Sequence, residues 1–163
     1  MNHPELIVKA RKVISDILYI TIATCDRSGQ PWNSPVYSAF DNEYNFYWAS
    51  WKENQHSKNI ADNERVFVVI YDSTVPEGTG SGVYMRGIAR QLEVKDLIEI
   101  IKSLKLLYSR KSKKTRKPEE FLGFLPRRIY KFIPEQVWIN SEGDIKGNFI
   151  DARIDITADI LKK

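Results

Sequence analysis

Aromatic, small polar and basic side chains, the types that hold a planar anionic ligand, are concentrated in one short stretch of the chain. The stretch contains Trp48, Ala49, Ser50, His56, Ser57 and Lys58. The pattern predicts a strand that ends in aromatic and small residues, followed by the start of a short helix. A helix N-terminus offers free backbone N–H groups and positive partial charge. With the Ser57 hydroxyl and the Lys58 ammonium, it predicts a phosphate pocket, although the same residues are also typical of a solvated helix cap.

Other chemistries find no support in the sequence. The chain has no G-x-S-x-G elbow, no H-E-x-x-H pair and no G-x-x-x-x-G-K-[ST] phosphate loop. Its one cysteine, Cys25, and two histidines, His3 and His56, make a His/Cys metal site improbable, so we expect no metal. Hydrolysis by a nucleophile, a metal or a paired acid and base is therefore not expected.

Length and composition indicate a single globular domain. The chain has 163 residues, of which 42% are hydrophobic and 28% charged. No apolar stretch approaches the roughly 20 residues of a membrane span, and the N-terminus does not resemble a signal peptide. A lone cysteine cannot form an internal disulfide, which is typical of a reducing compartment. We expect a cytoplasmic protein with no membrane association.

The basic character of the chain is confined to one segment. Residues 102–117 contain eight lysines and arginines and no acid, whereas the rest of the chain carries a net charge of −4. Such a run is most often a solvated helix end and loop. The segment has one aromatic residue, Tyr108, and so lacks the stacking platform of a single-strand binder. We therefore do not expect nucleic-acid binding.

Hydrophobic periodicity predicts a mainly β protein with flanking helices. Helical spacing is seen over 6–17 and 94–108, and one or two helical turns are expected within 53–62. Predicted strands cover 18–24, 35–40, 44–50, 65–71 and 82–90, with further strands around 128–133, 136–140 and 147–156. Short strands in this number, without βαβ alternation, favour a closed antiparallel barrel decorated by helices.

The order of the motifs resembles the pyridoxamine 5′-phosphate oxidase-like family of FMN-binding split barrels. The resemblance extends from the first helix to about Ile156. It rests on LYITIAT, Gly29-x-Pro31, Pro35-Val36, Asp41 before FYWAS, His56-Ser57-Lys58-Asn59-Ile60, VFVVIY, Gly87-Ile88-Ala89 and Pro134-Glu135-x-Val137-Trp138. It implies that residues 1–163 form one FMN-binding split-barrel domain, antiparallel and Greek-key-like, which assembles as a homodimer.

The resemblance also implies a set of cofactor contacts. Ser57 and Lys58, with His56 beside them, would hold the FMN phosphate. Trp48, Ala49 and Ser50 would line the isoalloxazine ring, and Asn33 and Ser38 would lie where the family places flavin-contacting side chains. Trp138 would come from the partner subunit.

The function that follows is a flavoprotein oxidoreductase acting on a small-molecule substrate or electron donor. The strand Asn33–Ser38 has no basic residue, so pyridoxamine-phosphate oxidase activity itself is not expected. The alternatives are a flavin-binding stress or storage protein without turnover and a relative that binds deazaflavin or haem.

Overall fold

The computed structural model describes residues 2–145 and 148–161, which form a mainly β protein with flanking helices. The helices are α1 (His3–Asp16), α2 (Gln55–Asp62), α3 (Leu97–Arg110) and α4 (Thr157–Ile160). The strands are β1 (Tyr19–Cys25), β2 (Pro31–Tyr37), β3 (Ala39–Phe40), β4 (Phe46–Trp51), β5 (Arg65–Tyr71), β6 (Gly82–Gln91), β7 (Arg127–Ile145) and β8 (Asn148–Asp155). Short 3-10 helices cover Val94–Asp96 and Pro118–Phe121. None of the helices in the described ranges has the length and apolar character that a membrane crossing requires.

The strands form one antiparallel sheet in the order β2-β1-β5-β6-β7-β4-β3. β8 pairs with the C-terminal half of β7, and β7 is long enough to pair with three strands, β4, β6 and β8. The sheet curls so that β2 and β4 approach each other without backbone pairing. This curled sheet is a half-barrel, not the closed barrel that the strand pattern favoured, because β2 and β4 do not pair with each other. We call the gap between β2 and β4 the split.

The barrel interior is filled by alternating strand side chains and closed by α1. Val66, Val68 and Ile70 of β5 point inward, as the two-residue period of a strand requires. Ala10 and Ile14 of α1 pack on this core one helical turn apart. Burying an isoleucine of this kind contributes about 1.5–3 kcal/mol.

The other face of β4 and β7 is covered by α3. Leu104 and Leu107 of α3 pack against Tyr47 and Ile129 in a second apolar cluster. This packing brings the C-terminal end of α3 beside Tyr37 of β2, which lies at the edge of the same cluster. The split is therefore bordered by α2 and α3 as well as by its two strands.

The strand boundaries differ from the sequence prediction in two places. The strand predicted over 35–40 begins earlier, at Pro31, and Ser38 separates β2 from β3. The two strands predicted around 128–133 and 136–140 are one continuous strand, β7. Its pairing with β6 shifts register between Arg86 and Gly87, and this irregularity accommodates Pro134 without ending the strand. A Cβ at Gly87 would meet the Ile133 carbonyl oxygen at 2.1 Å, so only glycine fits there.

Candidate functional site

His56 bridges the two strands that border the split. Its Nδ1 lies 3.2 Å from the Ser34 Oγ of β2, and its Nε2 lies 2.8 Å from the Ser50 Oγ of β4. The imidazole is 6% exposed, and burial lowers the pKa of His56. At neutral pH the ring is therefore neutral, with one nitrogen as donor and the other as acceptor.

Two further side chains complete this cluster. Trp32 donates its indole N–H to Ser34 Oγ at 3.0 Å, and Asn54 donates its amide N–H to Ser50 Oγ at 2.9 Å. We call these five residues, Trp32, Ser34, Ser50, Asn54 and His56, the bridge cluster. They connect β2, β4 and α2 at one end of the split.

The start of α2 lacks a side-chain cap. Asn54 occupies the N-cap position, but its side chain makes no hydrogen bond to the first turn because it donates to Ser50 instead. The positive end of α2 is thus left available for an anion beside the bridge cluster.

Ser57 and Lys58, the two residues expected at a phosphate, point in different directions. Lys58 lies at the surface, with its ammonium 3.3 Å from Glu53 in an exposed ion pair. Ser57 is buried beside Tyr130, where the two residues line a cavity of about 550 Å³. The Ser57 hydroxyl has no hydrogen-bond partner among the described residues.

Trp48, Ala49 and Ser50 do not share one face, because they are consecutive on β4. Trp48 is fully buried inside the barrel and stacks on Tyr130, with ring centroids 5.6 Å apart. Ala49 points to the opposite side, towards the α3 cluster. Of the three, only the side chain of Ser50 belongs to the bridge cluster.

The remaining predicted site residues lie apart from His56. Asn33 is exposed next to Ser34 and points to the other face of β2. Ser38 is fully buried, and its carbonyl oxygen accepts from Arg110 at 3.4 Å. Trp138 stacks on Phe67 on the outer face of the sheet, with ring centroids 6.2 Å apart.

A cationic cluster lies where α3 meets β2. The Lys111 ammonium is 4.4 Å from the centre of the Tyr37 ring, and burial, then Arg127 and Lys113, lower the pKa of Lys111. No acid among the described residues offsets these three effects. The Tyr37 hydroxyl and the Arg127 Nε are buried without hydrogen-bond partners in the described part of the chain. Unpaired donors and uncompensated positive charge are the features of an anion site.

Sequence reasoning missed Ser34, Tyr37, Lys111 and Arg127. Lys111 belongs to the basic run of residues 102–117, which the sequence led us to interpret as solvated. Arg127 lies sixteen positions after Lys111 and outside this run. β2 has no basic side chain of its own, but these two residues bring cations to it from α3 and β7. Only the packing of α3 on the sheet reveals this arrangement.

The fold and the position of the bridge cluster define an antiparallel split barrel, with a polar site between two strands, β2 and β4, that do not pair with each other. Residues 7–140 match the family described as pyridoxamine 5′-phosphate oxidase. Since this match covers most of the chain, the protein belongs to that family, as the order of its motifs predicted. A search of curated proteins found no match.

Solved structures with the same fold differ in what they bind. A protein of unknown function from Agrobacterium tumefaciens has a TM-score of 0.65 and 18% identity; the match covers 90% of this chain but 60% of that protein. HutZ, a haem storage protein from Vibrio cholerae, has a TM-score of 0.66 and 14% identity, covering 81% of this chain and 92% of HutZ. An FAD-binding protein from Mesorhizobium loti has a TM-score of 0.61 and 18% identity, covering 81% and 91%. At these identities the similarity establishes the fold alone.

Proposed function

We propose that this protein is an FMN-dependent oxidoreductase that acts as a homodimer on a small anionic molecule. The observation that carries the proposal is the bridge cluster, which places hydroxyl groups in the split directly beside the uncapped start of α2. FMN requires polar groups for the edge of its ring and an anion site for its phosphate, and this arrangement supplies both.

The residues of the split fit a flavin in the following way. Ser34 and Ser50 would contact the polar edge of the ring, and Ala49 would line it through the β4 backbone. Trp48 would contribute only backbone contacts, since its ring is buried in the core. Lys58 would leave Glu53 and pair with the phosphate at the first turn of α2. When bound, FMN supplies the redox chemistry by exchanging a hydride with the substrate.

The cationic cluster of Tyr37, Lys111 and Arg127 supports an anionic substrate. An anion there would pair with two cations that have no acidic partner among the described residues, and it would give the Tyr37 hydroxyl and the Arg127 Nε hydrogen-bond partners. The chain's own role at this position is to orient the substrate through charge and hydrogen bonds.

The outer face of the sheet supports a dimer. Phe67, Tyr84 and Trp138 form a partly exposed aromatic group there, with Arg86 and Arg153 beside the rings. Aromatic residues and arginines are enriched in protein interfaces. Trp138 would then contact the partner subunit, as the family resemblance implies.

The first experiment is the visible spectrum of the purified protein, followed by titration with FMN and with riboflavin. Lys58→Ala removes one charge-assisted bond, worth about 1.5–3 kcal/mol, so FMN affinity should fall roughly 10–150-fold. Riboflavin has no phosphate, so its affinity should not change. Lys9→Ala, a partly exposed lysine of α1 with no ion pair in the described part of the chain, is the matched control and should bind both ligands as the wild type does.

The alternatives give different results in the same experiment. A Soret band would identify haem, and binding of a deazaflavin in place of FMN would identify that cofactor. Bound FMN that neither NADH nor NADPH reduces, and that no candidate substrate reduces, would indicate a storage or stress role. Equal FMN affinity in Lys58→Ala and wild type would refute the phosphate assignment.

A further inference from the structure

The bridge cluster contains two donors: the Trp32 indole, whose direction is fixed by its chemistry, and the Asn54 amide, whose direction follows from its side-chain orientation in the structure. An indole N–H only donates, and so does the NH₂ of a carboxamide. Ser34 Oγ therefore accepts from Trp32, and Ser50 Oγ accepts from Asn54. Each serine still has its own hydroxyl hydrogen and one further lone pair to place.

Ser50 then determines the tautomer of His56. Ser50 is 6% exposed, and a buried hydroxyl hydrogen without an acceptor is costly. Among the described residues, the acceptor open to it is His56 Nε2, 2.8 Å away. Ser50 therefore donates to Nε2, and the proton of the neutral imidazole lies on Nδ1.

The consequence appears at Ser34. His56 Nδ1–H donates to Ser34 Oγ, which also accepts from Trp32, so both lone pairs of this oxygen are used. The Ser34 hydroxyl hydrogen has no acceptor in the described part of the chain, and Ser34 is partly exposed. This hydrogen is therefore available to solvent or to a ligand that occupies the split.

We infer that Ser34 is an obligate hydrogen-bond donor to the ligand in the split and that His56 is the positioning residue that makes it so. This inference rests on the proposed flavin function and adds a selection rule to it. The ligand must place an acceptor, a carbonyl oxygen or an unprotonated ring nitrogen, against Ser34. The pyrimidine edge of an isoalloxazine ring carries both kinds of acceptor.

Riboflavin is the suitable probe, because its binding does not depend on a phosphate contact. Ser34→Ala removes the donor and should weaken riboflavin binding about 3- to 10-fold, the range for one neutral hydrogen bond. The visible absorption bands of the bound flavin should shift as well, since a hydrogen bond to the ring is lost. Ser15→Ala, an exposed serine of α1, is the matched control and should change neither property.

The positioning role of His56 is tested by a double-mutant cycle. His56→Leu should weaken riboflavin binding by the same factor as Ser34→Ala, and the double variant should lose no more than either single variant. His56→Gln, whose amide can both donate and accept, should recover part of the affinity and of the spectrum. Melting temperatures identify variants that have lost the fold. If the His56 variants do not fold, the Ser34→Ala variant by itself decides whether Ser34 is the donor.

The outcomes separate this inference from the proposed function. If the wild-type protein binds riboflavin and a folded Ser34→Ala variant binds it with the same affinity and spectrum, the donor assignment is wrong and the flavin proposal stands. Additive losses in Ser34→Ala and His56→Leu would overturn the positioning role. If the wild type binds neither riboflavin nor FMN, the proposed function fails and this inference fails with it.

Discussion

Without a bound ligand, Lys111 lies in a position that is unfavourable for a charged group. Its ammonium lies over the rings of Tyr37 and Tyr108, 4.4 and 5.3 Å from their centres, and burial, Arg127 and Lys113 all lower its pKa. Two other basic residues of the same run have acidic partners within the chain. Lys102 pairs with Asp41, and Arg116 pairs with Glu120. A bound anion would offset the repulsion at Lys111, so this residue is where ligand charge should have the largest effect.

Inorganic phosphate tests this expectation directly. A ligand that binds only the native state raises stability by about 2.7 kcal/mol at 100 times its Kd, which is roughly 5–10 °C in Tm for a protein of this size. Phosphate should therefore raise the Tm of the wild type more than that of Lys111→Ala. Lys105→Ala, an exposed lysine of α3, controls for general salt effects and should respond as the wild type does. An equal rise in the Tm of Lys111→Ala on addition of phosphate would contradict the proposed anion site.

At the scale of the helices and strands, Arg110 connects three parts of the fold. Its Nη2 donates to the carbonyl oxygens of Ser15 at 2.7 Å and Ile17 at 2.9 Å, at the C-terminal end of α1. Its Nη1 lies 3.4 Å from the Ser38 carbonyl oxygen between β2 and β3. α1 has no basic residue in its own last turn, so α3 supplies the cation that its C-terminus favours.

Removing this guanidinium should loosen α1 and the start of the barrel together. Arg110→Ala leaves several carbonyl groups, most of them partly buried, without a charged donor, and we expect a loss of about 2–4 kcal/mol in the free energy of unfolding. Chemical denaturation measures this loss. Lys105→Ala on the same helix should change stability by less than about 0.5 kcal/mol. A loss in Arg110→Ala no larger than this would show that water replaces the guanidinium at no cost.

The sequence predicted most of the helices and strands, whereas the contacts of the candidate site depend on how these elements pack. A continuous apolar run identified β5 and helical spacing identified α3, because these patterns are local. The continuity of β7 through Pro134 was missed, since it depends on a register shift opposite Gly87. Likewise, His56 was found because it lies in a recognisable motif, but its partner Ser34 lies on another strand, and only the curled sheet brings the two together.

At the scale of the whole molecule, the outer face of the sheet is the surface best suited to a second copy of the chain. Phe67 lies between the rings of Tyr84 and Trp138, at 6.5 and 6.2 Å. Arg153 lies 4.1 Å from the Tyr84 ring and 5.8 Å from the Phe67 ring. An aromatic group with arginine at its border has the composition of an interface centre.

A charge placed in the centre of this face should separate the proposed dimer. Phe67→Glu puts a carboxylate between the rings of Tyr84 and Trp138. Removing this charge from water at an interface would cost several kcal/mol, which ion pairs with Arg86 or Arg153 would offset only in part. Light scattering should give twice the chain mass for the wild type and the single-chain mass of 19.0 kDa for the variant. Lys9→Glu on α1, away from this face, should remain dimeric.

If the partner completes the flavin site, Phe67→Glu should also lose flavin while keeping its melting transition, because the half-barrel core does not include this side chain. A wild type of single-chain mass would exclude the dimer, and a monomeric variant with unchanged flavin affinity would place the whole cofactor site within one chain.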